Sequence, residues 1–181
     1  MPDIGAGQIS TLAQIAAEVL GVSLDSVSVH NGDSSTTPYA GTCTAVRGVI
    51  MSGNAVKLAA HAVRQRLTSR AAQELDVPAE QIDIAAARVF VIGDQQRSMT
   101  LADLAGMCAA DGIHRSELAV YRAPTGERLN PETGQGQVHP DYTFGAHAVE
   151  VAVDTETGEI TVTKNVGAHD VGQAINMQAV E

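Results

Sequence analysis

The sequence predicts an α/β (α+β) protein: helix–strand units packed on a mixed sheet, closed by a C-terminal β-hairpin. Three observations predict it. Apolar stripes with helical spacing run through 12–20 and 49–71, each followed by a short alternating segment. A run that reads as a buried strand, Arg88-Val-Phe-Val-Ile92, precedes a third helical pattern. Near the C-terminus Val149, Val151 and Val153 alternate, Thr155-Glu-Thr-Gly158 makes a turn, and Ile160 and Val162 alternate on the return.

The elements follow in order. Leu12, Ile15, Ala16, Val19 and Leu20 form one apolar stripe, and Thr11-Leu-Ala-Gln14 has the form of a capping box. Gly21 stands where a helix ends on a left-handed residue. Val27-Ser-Val29 reads as a short strand. Residues 30–45 are small, polar and broken by Gly and Pro, so they form a long loop, functional or mobile. Val49, Val56, Ala60, Val63, Leu67 and Ala71 then keep helical spacing, with Arg64, Arg66 and Arg70 off the core positions. Gly93-Asp-Gln95 is a turn. The third helix begins near Met99, capped by Ser98 or Thr100, and ends near Gly112. Leu118–Arg122 reads as a strand, and 123–141 is a Gly/Pro-rich excursion.

The pattern Ala16-Ala-Glu-Val-Leu-Gly-Val22, followed by Val27 and Val29, recurs as Ala71-Ala-Gln-Glu-Leu-Asp-Val77, followed by Ile82 and Ile84. Both copies read helix end, turn, strand. They are either a structural pseudo-repeat, giving two similar α–β units side by side, or the shared grammar of such units.

Composition narrows the function. Aromatics are scarce, with three Tyr, two Phe and no Trp, so Ala, Val, Ile and Leu must build the core. The net charge of −10 argues against nucleic-acid binding, which needs Lys and Arg against phosphates. Cys43 and Cys108 have no metal-ligand spacing and are expected as reduced thiols. No apolar run approaches the ~20 residues of a membrane span. Met1-Pro-Asp-Ile-Gly-Ala-Gly-Gln8 shows no signal-peptide pattern, so a cytoplasmic location is expected, with the periplasm left open. The chain begins almost on a glycine motif and stops in mid-pattern. The expectation is a fragment, or one part of a naturally split subunit.

Two segments have the physics of an anion site. Gly5-Ala6-Gly7 opens the first helix, where small residues admit a ligand to unpaired N–H groups; a plain tight turn is the alternative. Gly41-Thr-Cys-Thr-Ala-Val-Arg-Gly48 leads into the second helix. There Thr42 and Thr44 either meet phosphate oxygens or act as N-caps, and Arg47 either clamps a phosphate or lies on the surface. Asp33 reads as a turn residue, and Asp170 as a turn-holding strand-end residue or a base. His30, His61, His114, His139 and His147 show no paired spacing, and no metal is assigned to them. Nothing resembles a Ser-His-Asp set or a glycosidase carboxylate pair.

Taken in order, these segments resemble a known family. Residues 3–22 resemble the glycine loop and helix of molybdenum hydroxylase large subunits of the xanthine dehydrogenase/aldehyde oxidase type. Residues 27–34 with Pro38 are similar to its next strand and loop, 41–56 to its second cofactor-contacting loop and helix, 142–160 to its hairpin, and 168–176 to the segment before its final cofactor stretch. The resemblance implies that 1–181 is part of a molybdopterin-binding domain, in sub-units of about 1–92 and 93–181. It implies molybdopterin, in many members its cytosine dinucleotide, and hydroxylation of an aldehyde or N-heterocycle with water-derived oxygen. Electrons would leave through [2Fe-2S] clusters to FAD on partner subunits. Carried over, Gly5, Ala6 and Gly7, with Thr42, Cys43, Thr44, Ala45 and Arg47, would face the cofactor.

Three departures stand out. Ala6 replaces a Gln frequent in the family, which tilts the resemblance toward aldehyde- and nicotinate-oxidising branches. Met177 replaces a usual Pro. The family's catalytic Glu and last cofactor loop match nothing in this chain, so it is expected to be inactive alone. Partners would be the remainder of the molybdenum subunit, the iron–sulfur and FAD subunits and a small-molecule substrate. Two rival readings are a cofactor-free assembly module and an unrelated phosphate- or nucleotide-binding α/β protein.

Overall fold

The structure, a computed structural model, describes residues 2–44, 47–124, 129–139 and 142–180. It divides into two compact units, 1–123 and 124–181.

The first unit begins with α1 (Gln8–Leu20). Its start differs from the expected capping box at Thr11–Gln14. Gly7, at φ 68°, turns the chain directly into the helix, and both the amide and the hydroxyl of Thr11 donate to the Gly7 carbonyl, at 3.1 and 3.0 Å. A side chain upstream replaces the box: the Asp3 carboxylate accepts from the Gly5 and Ile9 amides. Ala13 and Ala17 are the buried apolar positions, whereas the expected stripe residues are half-buried. Gly21 ends the helix in the left-handed conformation, as expected.

A π-helical turn (Gly48–Gly53) runs into α2 (Asn54–Leu75). Beyond α2 lies an antiparallel sheet of β1 (Ile82–Ala85), β2 (Arg88–Val91) and β3 (Asp94–Thr100). The turns joining its strands are too short for a crossover, so this sheet is antiparallel throughout rather than mixed. The sequence gives no sign of β3, because Asp94-Gln-Gln-Arg has no apolar alternation. α3 (Leu101–Ala110) follows, and the Thr100 hydroxyl accepts from the Asp103 amide at 3.0 Å.

The core lies between the helices and this sheet. Ile82 and Ile84 of β1 and Val89 and Val91 of β2 meet Leu67, Ala71 and Ala72 of α2 and Leu104 and Cys108 of α3. Small alanines on α2 let it approach the strands closely, as a core without large aromatics requires. The α2 arginines hold the periphery. Arg64 donates to the carbonyls of Val19 and Ile84 and to Asp83, joining the end of α1 to β1. Arg66 grips the His114 and Ser116 carbonyls and Glu117. These side-chain contacts hold 114–117, and 118–122 forms no strand, contrary to expectation.

The repeat is visible in the backbone. Gly21 and Asp76 both adopt left-handed conformations. Val22 donates to the Ala17 carbonyl and Val77 to that of Ala72, at 3.0 and 3.1 Å. A 3₁₀ turn follows each, at Leu24–Ser26 and Ala79–Gln81. The copies diverge at the strand. Ile82–Ala85 is paired, whereas Val27–Val29 is extended without a ladder partner among the described residues.

The second unit is built on the hairpin β4 (Phe144–Val153) and β5 (Ile160–Asp170), longer than the sequence pattern indicates. Asp154 makes its turn: the carboxylate accepts from the Glu156 and Thr157 amides, and its carbonyl from Gly158. Thr163 is bulged out opposite Glu150 and Val151. Val149, Val151, Val153, Ile160 and Val162 lie on one face by alternation and pairing, and all five are exposed.

Candidate functional site

The first glycine loop is open. Gly5 and Gly7 have φ of 98° and 68°, and a Cβ built on either would meet nothing within 4 Å. Ala6 between them is exposed. The Asp3 carboxylate lies at the start of α1, and the Ile9 amide first, then Gly5, holds its pKa below the ordinary aspartate value. The helix start already favours an anion, and an internal one lies beside it.

In the second loop Thr42 and Thr44 are exposed and Cys43 is half-buried. The Arg47 side chain folds back, its Nε donating to the Thr42 carbonyl at 3.2 Å, and the Arg47 amide donates to the Thr44 carbonyl at 3.1 Å. Arg47 therefore braces the loop. Ala45 lies outside the described residues.

One residue joins the loops, and the sequence reading missed it. Gln8, the first residue of α1, is buried, and its Nε2 donates to Cys43 Sγ at 3.1 Å. Cys43 Sγ returns a contact to Gln8 Oε1 at 3.4 Å. The Gln8 amide also packs on Gly48, where a Cβ would lie 2.9 Å from Nε2. Gln8, Cys43 and Gly48 thus form a small tethered cluster that links the start of α1 to the second loop. The sequence shows only a glutamine directly after G-x-G; its burial, which makes the amide need a partner, comes from the fold.

The remaining candidates resolve into structure. Asp33 accepts from the Ser35 amide at 2.9 Å, and Asp170 from the Gly172 amide at 2.9 Å; each holds a turn. Both cysteines are free thiols. Among the described residues no group of three or more His, Cys, Asp or Glu side chains is placed to hold a metal ion, and no helix is long and apolar enough to cross a membrane.

Two loops of small residues, one glycine-lined and one threonine-lined, thus stand at helix starts, the kind of place where backbone N–H groups can receive a polar group. Comparison with known proteins specifies which. The sequence matches the molybdopterin cofactor-binding domain family over residues 1–181, and the chain belongs to it. It is 32% identical, over 98% of its length, to the nicotine 6-hydroxylase large subunit of Paenarthrobacter nicotinovorans, and 31% identical, again over 98%, to the carbon monoxide dehydrogenase large chain of Hydrogenophaga pseudoflava. The fold matches the crystal structure of quinoline 2-oxidoreductase from Pseudomonas putida 86 with a TM-score of 0.79 at 28% identity, covering 99% of this chain and 22% of that one. The chain spans 21% of the length of each of the two curated relatives.

Proposed function

We propose that this chain supplies part of the molybdopterin cradle of a molybdenum hydroxylase and is inactive by itself. The carrying observation is the Gln8–Cys43 tether, which brings the two loops of the family's cofactor-contacting segments into one cluster. The residues present fit such a group. Gly5 and Gly7 leave their backbone approachable, and the exposed Thr42 and Thr44 offer hydroxyls. The Asp3 carboxylate already accepts from the Gly5 and Ile9 amides, so a phosphate falls to the second loop, beside Arg47, and the glycine loop meets an uncharged part of the group. In this reading Gly5, Ala6 and Gly7 admit the cofactor to the helix start. Thr42, Cys43 and Thr44 line the second loop, and Arg47 fixes that loop and adds positive charge.

When bound, molybdenum on its pterin supplies the oxidising centre for hydroxylation with water-derived oxygen. The chain's own residues bind and orient. None of them is assigned proton transfer: the second loop contains no carboxylate or histidine, and Asp3 at the first is committed to the Gly5 and Ile9 amides. Relatives named for nicotine, quinoline and carbon monoxide differ widely in substrate, so the substrate class of an aldehyde or N-heterocycle rests on the resemblance and on Ala6. The cytosine-dinucleotide form of the cofactor, iron–sulfur and FAD subunits as partners, and a cytoplasmic location belong to the same proposal.

The test is to purify the chain together with the remainder of its molybdenum subunit and compare wild type with Gln8→Ala. Loss of pterin fluorescence and molybdenum from the variant, with the assembly intact, supports the proposal. Full retention by Gln8→Ala would mean that the tether does not shape the cradle.

A further inference from the structure

The hairpin register brings together two histidines far apart in sequence. His147 pairs with Gly167, and His169 with Gly145, so each histidine faces a glycine on the neighbouring strand. The rings meet diagonally, with Nε2 to Nε2 at 2.8 Å and ring planes at 69°. The glycines make this possible. A Cβ at Gly145 would lie 2.7 Å from His169 Nδ1, and one at Gly167 would lie 3.0 Å from His147 Cε1. Glycine weakens a strand interior and marks close approach, and here two of them clear space for two imidazoles. On the same face Asn165 Oδ1 stands 3.4 Å from His147 Nδ1. With Nδ1 as the donor to that oxygen, His147 keeps its Nε2 lone pair on the side of His169. Orientation of a ring through its other nitrogen is how imidazole ligands are commonly set.

We propose that His147 and His169 form a two-imidazole chelate for a divalent transition-metal cation of the nickel(II)/copper(II) type. Two Nε2 atoms at this separation, each about 2.0–2.1 Å from a shared ion, subtend roughly 85° there. That is a cis angle of square-planar or octahedral coordination, narrower than a tetrahedral site prefers. Without metal, His169 donates its Nε2–H to His147. With metal, His169 gives up its Nε2 proton to solvent and takes one at Nδ1, and the two rings turn so that both lone pairs converge on the ion. Water completes the coordination. This site lies in the hairpin unit and does not depend on the cofactor reading.

The probe is Ni(II) chloride titrated into the full chain at about pH 7.5, where an ordinary imidazole is mostly neutral. Calorimetry should show one saturable site. His147→Ala and His169→Ala should each weaken it more than about tenfold, because each turns a chelate into a single ligand. His30→Ala should leave it unchanged. In proton NMR, paramagnetic Ni(II) should broaden the His147 and His169 ring signals before those of the other histidines, a readout that needs no variant to fold. Absence of saturable binding, undiminished binding in both alanine variants, or prior broadening of other histidines would overturn the proposal.

Discussion

At the scale of single residues, Gln8 does most to organise the candidate site. It commits its side-chain amide to a cysteine thiol, a weak partner, while buried at a helix start. Removing it deprives Cys43 of its partner. Gln8→Ala should therefore raise the alkylation rate of Cys43 roughly fivefold, the factor that ~1 kcal/mol of hydrogen bonding represents. Thiol-labelling kinetics measure this, with buried Cys108 as internal reference, and an unchanged rate would show that the tether is not formed in solution. Asp3 makes a second prediction. Its pKa is depressed by the Ile9 and Gly5 amides, so its contribution is present above the unfolded value and is lost as pH falls through the lower folded value. The protection of the Gly5 and Ile9 amides, exchange measured against the intrinsic rate at each pH, should fall only below about pH 4, and Asp3→Asn should remove that fall. The sequence revealed which small residues line the loops. It did not reveal Gln8 or the histidine pair, because both depend on distant partners that only the fold brings near.

At the scale of elements, local grammar was legible wherever one signal acted alone. The Gly21 end of α1, the α3 cap, which falls on Thr100 of the two residues offered, and the Thr155–Gly158 turn, to which the structure adds Asp154, are set by short-range chemistry. The expected box at Thr11 failed because an upstream carboxylate and a left-handed glycine competed for the same helix start. Val27–Val29 has the alternation of a strand but no ladder, and alternation alone does not supply a partner. The turn between β1 and β2 gives a prediction of its own. Ala86 and Ala87 hold φ of 49° and 58°, where alanine is strained by about 1–2 kcal/mol per residue. The double substitution Ala86→Asn with Ala87→Gly should stabilise the first unit by on the order of 1 kcal/mol in urea denaturation. Gly21→Ala should destabilise it by at least ~2 kcal/mol, because its Cβ would fall 2.1 Å from the Ile84 carbonyl oxygen at a position with positive φ. A neutral result for Gly21→Ala would refute the close junction of α1 with β1.

For the molecule as a whole, the two units differ in how they are held. The first has a core around Leu104, which is fully buried, and Leu104→Ala should cost about 3 kcal/mol. The second exposes the five apolar residues of its hairpin face, and an isolated two-stranded ribbon is only marginally stable in water. Fold class and hairpin were both readable from periodicity. The exposed hairpin face was not, since the same alternation suits a strand whether or not another layer covers it. A chain that spans about a fifth of its relatives' length and leaves such a face open fits a part of a larger subunit.

The most direct test of the cradle is molybdenum analysis with pterin fluorescence on two samples: the chain alone, and the chain co-purified with the remainder of its subunit. The account predicts about one molybdenum and one pterin per chain in the assembly and neither in the chain alone. Stoichiometric cofactor on the chain alone would contradict a partial cradle, and an assembly devoid of both would contradict the cofactor reading itself.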